Sequence, residues 1–149
     1  MVNSVKKFLK EQEWEFSKSD KGNIFTFGVS LDNGNFQCLI DVNPEREQLM
    51  IYSFCGSNCP IKKIPNLTEI LNKINYQLFL GSFEVDPEDG EVRFKTSTYF
   101  DNIKPSAGFV ASYVIPNIFA MDKHLPIIMR FIHDGTTKKE ALKSIEDLE

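Results

Sequence analysis

Three cysteines and two histidines are the only thiol and imidazole groups in the 149 residues. Cys55 and Cys59 stand four apart, not at the closer spacing of a zinc knuckle. His124 and His133, nine residues apart on a helix, point about 180° from one another. No metal site is expected, and no cofactor. An odd number of cysteines in a chain without an export signal reads as reduced thiols in the cytoplasm, with Cys59 an exposed loop thiol.

Positive charge is also sparse. The formal charge is −4 and the basic doublets are Lys6–Lys7, Lys62–Lys63 and Lys138–Lys139, too few and too scattered to displace counterions from a phosphate backbone. No uninterrupted apolar run opens the chain, so its start is neither a signal peptide nor a membrane span. Catalytic signatures are missing too. There is no Gly-x-Ser-x-Gly elbow, no Gly-x-Gly-x-x-Gly and no P-loop. Asp86, Glu88, Asp89 and Glu91 crowd one turn without the alternating ligands of an EF-hand loop, and read as a solvated hairpin tip.

What is present is core material. Hydrophobic residues make up 42% of the chain and thirteen are Phe, enough for one packed domain spanning residues 1–149. Val2, Val5, Phe8 and Leu9 fall at helical spacing, and Trp14 and Phe16 then alternate with polar residues as a half-buried strand does. Three apolar runs follow, Ile24 to Leu31, Phe36 to Val42 and Leu49 to Cys55, which read as an antiparallel meander. Asp32-Asn33-Gly34-Asn35 supplies the first turn.

Asn66 and Glu69 have capping-box spacing, so a helix is expected to start there, carry the stripe Leu67, Ile70, Leu71, Ile74, Leu78, and stop at Gly81. Asn72 and Asn75 on its polar side are either surface residues or amides that satisfy backbone where the helix turns into the next hairpin. That hairpin joins Ser82–Asp86 to Glu91–Tyr99 through Pro87-Glu88-Asp89-Gly90. Within Ser106 to Ile132 apolar residues recur at alternating steps of three and four from Ala111 onward, which predicts a helix of about 40 Å over that segment. Pro116 and Pro126 lie inside it, where a kink or break is expected. Thr137 with Glu140 caps a last amphipathic helix.

Leu71-Asn72-x-Ile74-Asn75, Gly81-Ser82-Phe83-Glu84-Val85-Asp86 and Asp89-Gly90-Glu91-Val92-Arg93-Phe94, in that order, resemble the YbjN-type family of bacterial domains. The resemblance covers Ile64 to Ile132 well and the meander loosely. It implies an α+β fold like the type III secretion chaperones, in the order helix, three strands, helix, two strands, long helix. It also implies a homodimer and a role in sensory-transduction regulation, with no catalytic residues to carry over. The helix from Thr137 and the two prolines depart from that pattern.

The expected function is therefore a non-enzymatic protein-binding module, chaperone-like or regulatory. Phe109, Tyr113, Phe119 and Phe131 lie off the main stripe of the long helix and are the candidate partner-binding residues. The alternative is a small-molecule sensor or enzyme with a pocket between sheet and long helix.

Overall fold

A computed structural model of the chain describes residues 1–148. Helix α1 (Val2–Glu11) buries Val5, Phe8 and Leu9. Strands β1 (Phe16–Lys18), β2 (Ile24–Leu31), β3 (Gly34–Asn43) and β4 (Gln48–Phe54) follow. A 3-10 turn at Ile61–Lys63 leads into α2 (Ile64–Gln77), then β5 (Ser82–Val85), β6 (Val92–Tyr99), α3 (Ala107–His133) and α4 (Lys138–Glu146). The six strands form one antiparallel sheet in the order β1-β2-β3-β4-β6-β5. The expected α+β class is the observed one, the order implied by the resemblance gaining one strand, β1, where Phe16 was read in a half-buried strand, and the two hairpin units are fused through the β4–β6 pairing.

Alternation decides which face is covered. Phe25, Phe27 and Val29 of β2, Phe36, Cys38, Ile40 and Val42 of β3, Leu49 and Ile51 of β4, and Val92 and Phe94 of β6 point into the core. There they meet the apolar sides of the helices. Helix α3 crosses β3, β4 and β6, with α1 on one flank and α4 on the other, while α2 lies on β5 and α4. Helix α4 is held by its Thr137–Glu140 capping box and by Lys138–Glu69 and Lys73–Glu146 ion pairs to α2.

Two local expectations are corrected for α2, and the break expected in α3 is absent. Asn66 does not cap α2, which starts at Ile64 without a side-chain cap and carries a proline in its first turn. Pro65 is tolerated there because the first-turn amide has no intrahelical partner to lose. The helix ends at Gln77, before Gly81. Helix α3 runs unbroken through both prolines. Pro116 is exposed and Pro126 half-exposed on the outer side, where water can take the carbonyls that each proline frees.

Candidate protein-binding surface

The inner side of α3 is fixed by a polar cluster inside the core. Asn117 is fully buried. Its amide nitrogen donates to the Ile51 carbonyl at 3.2 Å, the Phe94 carbonyl at 3.3 Å and Thr96 Oγ1 at 3.2 Å. Ser53 Oγ donates to its amide oxygen at 2.5 Å, and Thr96 Oγ1 donates to the Tyr113 carbonyl. No buried side-chain nitrogen or oxygen among the described residues lacks a partner. The cluster therefore positions α3 on β4 and β6, and presents no unsatisfied group to a ligand.

The four aromatic candidates do not form one face. Phe109 and Tyr113 are half-buried with ring centroids 5.3 Å apart. Phe119 is 59% exposed and lies about 120° round the helix from Tyr113. Phe131, five turns beyond Tyr113 and on its side of the helix, is only 3% exposed. It is covered because Lys63 reaches over its ring at 5.6 Å and donates to the Phe131 and Ile132 carbonyls at 3.1 Å. That contact places a cation on the negative end of α3. Phe131 is thus core, and the outward apolar residue of α3 is Phe119.

Phe119 borders a groove of about 430 Å³ lined by Lys123, Pro126, Ile127 and Arg130 of α3, Asn33 of the β2–β3 turn, and Ser144 and Leu148 at the end of α4. The turn is anchored to α3. Asp122 accepts from the Asn33 main-chain amide at 3.0 Å and from its Nδ2 at 3.1 Å. Gly34 sits so close to α3 that a Cβ there would meet Leu125 Cδ2 at 2.8 Å. The sequence reading missed Lys123 and Arg130, although Phe119, Lys123, Pro126 and Arg130 recur at steps of four, three and four, as residues of one helix side do.

The outer sheet face is the other open surface. Met50, Tyr52 and Phe54 of β4 lie half-buried beside Arg93, whose guanidinium stands 4.7 Å over the Tyr52 ring. Arg93 also pairs with Glu84 at 2.8 Å, and Lys95 pairs with the same carboxylate. Burial alone would raise the Glu84 carboxyl, but the hydrogen bonds and charges of Lys95 and Arg93 win and hold it below the usual range. Further exposed apolar side chains are Tyr76 in the last turn of α2 and Phe79 just after it, and Tyr99 and Ile103 before α3.

The thiols and imidazoles occupy separate surroundings. All three cysteines are unpaired and buried, Cys59 included, so it is not the exposed loop thiol expected. Its burial comes from the hairpin tip, where Gly90 packs against the Cys59 carbonyl and accepts the Cys59 amide at 2.8 Å. Burial pushes the Cys38 thiol up to about 12 despite its contact with Ser53, and raises Cys55 and Cys59 as well. His124 is buried and its pKa lowered, while His133 is exposed and meets Ser57 Oγ at 3.0 Å. Among the described residues no three His, Cys, Asp or Glu side chains are grouped to hold a metal ion. None of the described helices is long and apolar enough to cross a membrane.

Asn75, left open between two roles, bonds the backbone of Phe83 in β5, whereas Asn72 is an exposed surface residue. The hairpin and amide pattern that resembled a family is thus a structural unit. The family described as "YbjN: Putative bacterial sensory transduction regulator" matches residues 2–106. The chain belongs to the YbjN family. The match takes in α1 and the whole meander and stops just before α3, so it extends further toward the N-terminus than the resemblance implied. The crystal structure of YbjN from E. coli is similar over 80% of this chain and 87% of that one, with a TM-score of 0.56 and 10% identity, a likeness of fold. A chain of the HopA1–SchA chaperone–effector complex is similar over 89% and 91%, with a TM-score of 0.49 and 18% identity. No curated protein matches the sequence.

Proposed function

We propose that this YbjN-family chain acts as one domain and as a non-enzymatic protein-binding module, chaperone-like or regulatory, working as a homodimer in the cytoplasm. The observation that carries the reading is the outer side of α3, where Phe119 stands 59% exposed beside a preformed groove. Exposed apolar surface next to a rigid groove is what a protein partner covers. Three unpaired thiols support a reducing compartment. The buried polar side chains between sheet and α3 are spent on one another, which weighs against a small-molecule pocket there.

The test has two measurements on the full chain. Light scattering after size exclusion reads the mass, where twice the monomer mass is expected. Capture from lysate of its own cells, followed by mass identification, reads the partner. A strictly monomeric protein that retains no other protein removes the proposal.

A further inference from the structure

Resting on the protein-binding reading, we propose that the groove between the β2–β3 turn, α3 and the end of α4 takes an acidic amphipathic helix of another protein. The partner would carry two carboxylates seven residues apart with apolar residues between them. The argument is one of charge and spacing. The groove has two cations, Lys123 and Arg130, both exposed, and neither forms an ion pair with any described carboxylate in a chain whose net charge is −4. The one carboxylate lining it, Asp122, is 8% exposed and already accepts two hydrogen bonds from Asn33. Among the described residues this positive charge meets no carboxylate partner, Arg130 Nε donating only to the Pro126 carbonyl at 3.3 Å, and it sits over an apolar floor of Phe119, Pro126, Ile127 and Leu148.

The spacing then selects the shape of the partner. Lys123 and Arg130 are two turns apart on the same side of α3, about 10 Å at 1.5 Å per residue. A helix lying along the groove matches that separation with carboxylates at i and i+7, which share one side of it, while residues at i+3 and i+4 meet Pro126 and Ile127. An interfacial pair of this kind contributes through complementarity with a fixed partner geometry more than through raw attraction. The wall formed by the β2–β3 turn is tied to α3 through Asn33 and Asp122, so that side of the groove is already shaped to receive the helix.

The probe is a fluorescein-labelled helical peptide of Leu, Ala and Gln with Glu at i and i+7, compared with two relatives. One has the same composition with its glutamates moved to the opposite side, and the other has Lys in place of both Glu. Anisotropy should show saturable binding of the first peptide, weakened at least tenfold when the glutamates are moved. Lys123→Glu with Arg130→Glu should lose the first peptide and gain the lysine peptide. Both positions are exposed, and an unchanged melting temperature checks the fold. No binding, or binding indifferent to glutamate position and to the charge reversal, overturns the inference. So does a concentration-dependent dimer abolished by the same double substitution, since a second copy then fills the groove. If the peptides fail while the chain still retains a protein from lysate, the groove assignment falls and the protein-binding reading stands.

Discussion

The side chain of Asn75 takes both main-chain groups of Phe83. Its Oδ1 accepts the Phe83 amide at 2.7 Å and its Nδ2 donates to the Phe83 carbonyl at 3.0 Å. Strand β5 is the last of the sheet, so these groups would otherwise face outward as an unpaired edge. One amide from α2 does there what a neighbouring strand would do, and it locks the end of α2 to the second hairpin.

Replacing this amide tests that role. Asn75→Ala should cost about 1–3 kcal/mol, because it leaves a donor and an acceptor of a largely buried residue without partners. Urea denaturation reads the loss. Light scattering of the variant should also show greater self-association than the native chain, since the opened edge is a template for strand pairing.

Asn117 should be the most sensitive polar position in the core. Asn117→Leu removes four hydrogen-bonding partners at once and should destabilise by about 2–4 kcal/mol. In Asn117→Asp the carboxylate keeps Ser53 as a donor but faces the Ile51 and Phe94 carbonyls without a proton to give. Its stability should therefore improve as pH falls toward the carboxyl range, opposite to the trend of the native protein, as thermal melts at pH 5 and pH 7 would read (each a chosen condition about one unit either side of 6).

His124 sets a pH dependence of known sign. Burial, followed by the charge of Lys123, lowers its pKa, and the hydrogen bond to the Ala120 carbonyl only partly opposes this. The folded state holds it neutral to lower pH than the unfolded chain, which takes up a proton near 6.5. Stability should be unaffected by this group above that value and decline as pH falls below it. His124→Gln should flatten the decline, measured as the slope of unfolding free energy against pH, whatever the substitution does to stability at neutral pH.

Gly90 governs the burial of Cys59. With φ at +77° and a Cβ that would lie 2.0 Å from the Cys59 carbonyl oxygen, Gly90→Ala must push the 55–59 loop off the hairpin and should cost more than about 2 kcal/mol. Native Cys38, Cys55 and Cys59 should react slowly with a thiol reagent at pH 8, a chosen condition about half a unit below the free thiol pKa. Faster labelling of Cys59 in the glycine variant is the expected readout. Rapid labelling of all three in the native chain would contradict their burial.

The division between sequence and tertiary structure follows the range of the interactions. Local patterns were legible wherever neighbours in the chain decide the outcome. Period two gave the strands, the Asn-Gly and Asp-Gly turns gave the hairpins, and Thr137 with Glu140 gave a cap that forms as read. The three-four recurrence gave α3 because burial of one side outweighs two prolines whose freed carbonyls face water. Asn66 misled because Pro65 lets the helix begin earlier, and Glu69 reaches across to Lys138 instead of back to the cap.

Contacts between distant segments decided the rest. That β6 pairs with β4 and leaves β5 at the edge depends on a register between residues 39 to 51 apart in the chain, from Phe54↔Arg93 to Gln48↔Tyr99. Phe131 and Phe119 look alike as letters on one helix. One lies under Lys63 and the other stands open beside Lys123, because only packing determines which sides of a helix its neighbours cover.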